Sequence, residues 1–538
     1  MFNRRSVLKG ALAAPVLLLA SRPGHSQAAT VFTTDYGVAS GDPRPDRVVI
    51  WTRVPEASQA GGSPVTVDYE VATSETFDSA TIIVQGQFTT DTDIDYTVKV
   101  VVSGLTPATR YYYRFRTTTG YQSVTGRTRT APATDASPEA IRFAYVSCQD
   151  YTQGFYTVYA SLAEEDLDFC VHLGDNIYET GAAGFQEGQV REDTIGGGEA
   201  DELSEYRQKY QLYLSDANLR EVRRLFPWVF LWDDHELFNN YAGTETSVEV
   251  PQRQRDAYRV FLEYMPVLPV VPLSATDPPT VQLFRQFAFG NLLEVFVLDE
   301  RQYRDGVVCR RDFATLACPQ LDDPERTMLG REQKDWLKSN LESSPARWKV
   351  LLNEVMMMRF EAINLDPRAK GRNLPPAIFE SALLVDQGLY INLDAWDGYP
   401  AERTELLEFI ADRQIRNVVV ATGDIHNCYA GVLRPDFSDV DSPAVAVEIV
   451  GGSVSSAGLY ELLGDVDLTE LGSLILMRAS PHIEYVDLRY HVYTKFVVTP
   501  EQLAVTYVAV DTIAQTTSDS FVLQQFTIPN GEARLVQS

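Results

Sequence analysis

Five short apolar runs between residues 141 and 426 each end in residues able to hold a cation. Residues 141–146 give way to Ser147-Cys148-Gln149, and residues 167–173 to Gly174-Asp175-Asn176-Ile177-Tyr178-Glu179. Residues 228–232 lead into Asp233-Asp234-His235-Glu236, residues 348–352 into Asn353-Glu354, and residues 418–421 towards Gly423-Asp424-Ile425-His426. Runs of this length, rich in β-branched and aromatic side chains, read as strands. A further strand is expected over 292–298. Helix-like stretches at 155–165, 332–342 and 402–414 lie between them, and strand character returns over 482–526. Such alternation predicts an α/β layered domain built on a sheet over residues 140–528. Ligands of open α/β sheets bind just beyond the carboxyl ends of the strands, where five sets of donors would converge.

The donors are of two kinds. Asp175 can bridge two cations through its two oxygens, and Tyr178, one turn further on, reaches the same ion. A thiolate (Cys148) and a phenolate (Tyr178) suit a trivalent or transition metal, whereas carboxylates such as Asp234 and Asp424 suit calcium or magnesium. Two unlike subsites are expected. Taken singly, each motif is commonplace: Gly-Asp-x-x-Tyr and Gly-Asp-Ile-His are ordinary turns, Asp-Asp-His-Glu a charged cap, and a cysteine a small buried hydrophobe. Yet two of only six histidines, His235 and His426, fall in these strand ends. His172 and Cys170, inside an apolar run, are expected in the core.

Upstream, residues 48–52, 65–71, 96–100 and 111–115 are β-branched or aromatic runs separated by Gly, Pro and Asp, which predicts an N-terminal β-sandwich over 30–131. An Ala/Thr/Pro-rich linker at 132–138 follows it. The first 29 residues carry Arg4-Arg5-Ser6-Val7-Leu8-Lys9, an apolar stretch at 11–20 and Ser26-Gln27-Ala28. That is the pattern of a signal peptide, well short of the ~20 residues that span a bilayer. Its paired arginines resemble a twin-arginine signal; an ordinary secretory signal is the other reading. The first makes the export machinery a partner and the protein secreted or periplasmic, crossing the membrane already folded. No other run is long enough for a membrane anchor. Cys309 and Cys318 bracket a polar loop that a disulfide would close in an oxidising compartment. The net charge of −28 argues against a nucleic-acid-binding surface. It leaves a phosphate-bearing substrate open, because bound cations invert the local field.

Taken in order, these motifs resemble the calcineurin-like metallophosphoesterases, and within them the PhoD-type alkaline phosphatase/phosphodiesterase family. The resemblance also rests on Gly37-Val38-Ala39-Ser40-Gly41-Asp42-Pro43, Trp51-Thr52-Arg53, Asn239-Asn240, Asp299-Glu300-Arg301-Gln302-Tyr303-Arg304 and Trp396-Asp397-Gly398-Tyr399-Pro400. It implies a fibronectin-like N-terminal domain before a two-sheet α/β/β/α metallophosphoesterase domain, with Fe(3+) and Ca(2+) as cofactors. Cys148, Asp175, Tyr178 and His426 would form the iron side. Asp175, Asp234 and Asp424 would form the calcium side, and Asn353 stands where related enzymes place a further metal ligand. Catalysis would fall to Asp234 and to His235, which approaches the phosphoryl oxygens. The implied activity is hydrolysis of small phosphate mono- or diesters by a metal-activated hydroxide. A phospholipase D-like diesterase acting on phospholipid head groups is one alternative, and a secreted metal-stabilised binding protein another. Two positions depart from the family pattern: Glu300, where Thr is usual, and Glu354, where Gln is usual. Each would place an extra carboxylate beside the site.

Overall fold

The computed structural model describes residues 35–55, 61–180, 190–192, 198–276, 279–308, 313–316, 319–363, 389–439, 441–463 and 469–537. The signal segment and the Cys309–Cys318 pair lie outside them. Six strands carry the site: β1 (Ile141–Val146), β2 (Phe169–Leu173), β3 (Pro227–Leu231), β4 (Leu293–Val297), β5 (Trp348–Asn353) and β6 (Val418–Thr422). β1, β2 and β3 are parallel neighbours in a ten-stranded sheet. β4, β5 and β6 are parallel neighbours in a seven-stranded one. Their registers match at the carboxyl ends: Val146 lies opposite His172, Leu173 opposite Leu231, Val297 opposite Leu352, and Asn353 opposite Thr422. The segments that follow therefore leave each sheet along one edge.

Side chains alternate across a strand, and here both faces are covered. Phe143, Val171 and Val229 of the first sheet share one buried core with Val295, Val350 and Val419 of the second. On the first sheet's outer face Ala144, Cys170 and Trp228 pack with Tyr210 and Phe261, from helices Leu203–Tyr213 and Pro251–Tyr264. On the second's, Phe296, Leu351 and Val420 meet Leu337 and Leu406, from helices Gly330–Ser343 and Pro400–Asp412. Two mixed sheets thus stack between two helical layers, an α+β architecture. Burial on both faces is why Val418-Val419-Val420-Ala421 is an unbroken apolar run. Cys170 and His172 are buried, as expected.

The N-terminal strands also form two facing layers: Val48, Ile50 and Val98 pack against Val67, Val71 and Phe115. One layer is not separate, however. Strand Val38–Gly41 runs parallel to β3, so the ten-stranded sheet continues into the N-terminal part, and residues 33–538 make one compact unit. The pairing covers an edge of β3 that would otherwise offer open backbone groups. On the other side the tail strand Val492–Val498 pairs antiparallel with β1. The helix expected at 155–165 shortens to Thr157–Leu162. Among the described residues, no helix is long and apolar enough to cross a membrane.

Candidate metal centre

The chain turns sharply just beyond the ends of β1, β2 and β6. Cys148, Asp175, Asp424 and His426 all have left-handed backbones, with φ of 57°, 58°, 65° and 58°. Such conformations cost non-glycine residues energy and persist where the surroundings enforce them. Gly174 (φ 103°) makes the turn before Asp175 possible, since a Cβ there would stand 2.4 Å from that of Asp233. Glu236 clamps the same region: its carboxylate accepts from the backbone amides of Asp175 (3.1 Å) and Asp233 (2.8 Å) and from Asn176 Nδ2 (2.7 Å).

These turns bring the donors into three overlapping groups. Ligand atoms of Cys148, Asp175 and His426 lie within 4.8 Å of one another, as do those of Asp175, Asp234 and His235, and those of Asp233, Asp234 and Asp424. Asp175 joins the first two groups and Asp234 the last two. Tyr178 belongs to the first: its hydroxyl donates to Asp175 Oδ2 (2.7 Å) and lies 3.1 Å from His426 Nε2. The carbonyl of Ala457, 2.9 Å from His426 Nδ1, accepts from Nδ1–H, which leaves the Nε2 lone pair on the Tyr178 side. Asn353 spends Nδ2 on Val355 O and on Thr422 Oγ1 (3.3 Å). Its Oδ1 is buried without a hydrogen-bond partner among the described residues, and so is Asp234 Oδ1.

A buried set this acidic fits a cation. Burial, together with Asp175, pushes the Cys148 thiol well above its ordinary range; burial and then Asp175 do the same to Tyr178. Burial raises Asp424 to about 7, partly offset by Arg301. Without positive charge such groups stay protonated, whereas a cation would let them ionise together. Asp234 differs. Burial would raise it, but Arg301 and His235 hold it well below the carboxylate range. Arg301 is fully buried beneath the site, contacting Asp233 and Asp394 and lying 3.2 Å from Asp424. His235 stacks on Tyr178 at 4.1 Å between ring centroids, with Nδ1 2.7 Å from Glu179 Oε2. Burial opposes its imidazolium, but Glu179, Asp234 and Asp175 override that and raise it well above 6.5.

Asp175, Tyr178, Asp234, His235, Asp424 and His426 line a cavity of about 350 Å³, whose outer wall includes Asn239, Ala457 and Leu462. Cys148 and Asn353 lie behind it, fully buried. Glu300 and Glu354 do not line it. They are buried against each other's backbone amides, and Trp396 Nε1 donates to Glu300 (2.8 Å). The extra carboxylates therefore stand beside the site, Glu354 within electrostatic reach of Asp233 and Arg301, but not among the residues that line the cavity. Arg301, Glu179 and Glu236 stood in the sequence motifs without a role. The segment 453–458, which closes the Cys148 side, had no sequence signal beyond its run of small residues.

The "PhoD-like phosphatase" family model matches residues 143–507, and "PhoD-like phosphatase, N-terminal domain" matches residues 19–132. The chain is 37% identical over 507 residues to alkaline phosphatase D of Bacillus subtilis (strain 168), covering 91% of this chain and 80% of that protein. A solved structure of PhoD aligns with a TM-score of 0.82 at 35% identity, covering 96% of this chain and 93% of that one.

Proposed function

This chain belongs to the PhoD-like phosphatase family, and we propose that its cavity hydrolyses phosphate mono- or diesters with Fe(3+) and Ca(2+) as cofactors. It is a phosphoric ester hydrolase; the phospholipase D-like and binding-protein readings are not favoured. The observation that carries the proposal is the overlapping run of donors from Cys148 to Asp424 at and behind a cavity whose described lining residues include no Lys or Arg. Phosphoryl charge in that cavity has to be met by bound cations and by His235.

Cys148, Asp175, Tyr178 and His426 would hold the ferric ion, as a thiolate, a phenolate, an imidazole and a bridging carboxylate suit a trivalent metal. Asp175, Asp234, Asn353 and Asp424 offer the oxygen donors that calcium takes. Bound there, the ions supply Lewis acidity and a nucleophile drawn from water. The protein's own groups do the rest. Glu236 and the left-handed turns fix the donors before substrate arrives, which is the preorganisation that phosphoryl transfer rewards. His235 Nδ1 is committed to Glu179, so a proton passed to the leaving oxygen comes from Nε2. Two facing β-layers support reading residues 30–131 as a fibronectin-like domain ahead of a catalytic domain at 140–528. The paired arginines near the N-terminus support export through the twin-arginine route to a secreted or periplasmic location.

Hydrolysis of a chromogenic phosphodiester and the matching monoester tests this, with and without a calcium chelator, beside a visible absorption spectrum. Turnover lost on chelation and restored by calcium, with a tyrosinate-to-iron band, is expected. A colourless protein turning over neither ester would overturn the reading.

A further inference from the structure

Segment 453–458 walls the Cys148 side of the metal centre and meets it through backbone groups and a serine hydroxyl. The amides of Ser455 and Ser456 donate to the carbonyl of Cys148, both at 3.3 Å, and that of Val454 is shared between the carbonyls of Ser147 (3.0 Å) and Cys148 (3.2 Å). Ser456 Oγ donates to the Tyr178 hydroxyl (2.8 Å), and Ala457 O meets His426 Nδ1 (2.9 Å). Gly458 packs so closely that a Cβ there would stand 3.1 Å from the carbonyl of His426. One short segment therefore touches three of the four residues assigned above to iron.

A second set of groups holds that segment from behind. Ser453 Oγ donates to Ser456 O (2.5 Å), closing the turn, and lies 2.9 Å from His491 Nδ1. A hydroxyl has one proton, so with that proton on Ser456 O it is Nδ1 that donates to Ser453, and Nε2 bonds the Glu461 carboxylate only as a second N–H donor. On its far side His491 Nε2 lies 3.3 Å from Glu461 Oε1, while Glu461 Oε2 accepts from the amide of Gly458 (2.9 Å). Burial alone would raise Glu461, yet His491 draws it down. His491 thus ties both ends of the segment, Ser453 directly and Gly458 through Glu461. Glu461 lies one residue before Leu462 of the cavity wall. His491 itself comes from outside the site, just ahead of the tail strand Val492–Val498.

We propose that His491 is a positioning residue: bridging Ser453 and Glu461, it seats residues 453–458 on Cys148, Tyr178 and His426, and so sets how firmly that side of the centre holds its metal. The inference rests on the metal reading given above, so its test has one readout that does not. His491→Ala and the milder Glu461→Gln are compared with wild type by amide hydrogen exchange over 453–458 in metal-free protein, and by the rate at which a chelator strips transition metal from loaded protein. His491→Gln, which can bond only one of the two partners, should fall between wild type and His491→Ala. The expected result is exchange at least tenfold faster over 453–458 and faster metal loss, with the melting temperature of Glu461→Gln close to wild type. Should His491→Ala not fold, Glu461→Gln decides alone. Wild-type exchange over 453–458 in Glu461→Gln would overturn the relay, as would wild-type metal loss despite faster exchange. A wild-type protein that binds no transition metal would instead overturn the metal reading, and the exchange result would still settle the seating.

Discussion

Asp234 is the residue on which the arrangement turns. It belongs to two of the three donor groups, one of its oxygens accepts from the Asn240 amide at 2.6 Å, and the other has no hydrogen-bond partner among the described residues. Asp234→Asn keeps the shape and removes the charge. Activity is expected to fall at least a hundredfold in kcat/KM, about 2.7 kcal/mol, with unfolding little changed because the side chain's volume stays the same. Full activity in that variant would remove Asp234 from the mechanism. His235 gives a second test with a defined sign. Its proton is held against burial by Glu179 first, then Asp234 and Asp175. A group that must be protonated fails as pH rises through its raised pKa. Glu179→Gln removes the largest supporting charge, so the alkaline limb of the kcat/KM profile should move to lower pH. If that limb does not move, His235 is not the proton donor.

At the scale of elements, the strands were legible because burial on both faces leaves unbroken apolar runs, and the donors because they follow those runs directly. What links distant segments was not legible. Nothing in the spacing of Arg301 shows that it lies under Asp233 and Asp424, and nothing near residue 453 points to His491. Likewise, the N-terminal strands were recognisable as β structure, but their continuity with β3 depends on a pairing between residues about 190 apart. His172 shows how β2 tolerates one misfit. Both its ring nitrogens are buried without hydrogen-bond partners among the described residues, its ring lies over Phe230, and burial lowers its pKa to about 3. His172→Phe replaces unsatisfied polar atoms with an apolar ring and should stabilise by about 1–2 kcal/mol at neutral pH. The histidine's folded pKa is depressed, so its cost grows as pH falls from about 6.5 towards 3, where the unfolded chain takes a proton that the folded one refuses. Urea midpoints across that range should therefore show the variant's advantage widening in acid. A constant advantage would mean that His172 is not held neutral.

For the whole molecule, the N-terminal part bears on the site through the last turn of helix Pro251–Tyr264. Trp51 Nε1 donates to Glu263 O (2.8 Å), and Lys99 Nζ donates to Leu262 O and to Val267 O (3.2 Å). Arg53 pairs with Asp95, which also accepts from the Tyr264 hydroxyl. From the same helix Tyr258 stacks on Trp232 at 4.2 Å between centroids, and Trp232 directly precedes Asp233 and Asp234. On the sheet side, Val38–Gly41 covers the edge of β3, the strand that leads into those aspartates. Removing residues 33–131 would strip the helix end of its caps and leave β3 as an open edge beside exposed aromatic surface, the combination that invites aggregation. A chain beginning at residue 132 is accordingly expected to be insoluble or to melt without cooperativity, and to recover neither metal nor activity. The check is its thermal unfolding and calcium-dependent hydrolysis beside a chain beginning at residue 33. A soluble fragment that melts cooperatively and turns over ester would show that the N-terminal strands only decorate the catalytic layers, and the case for their holding Asp234 in place would fall with it.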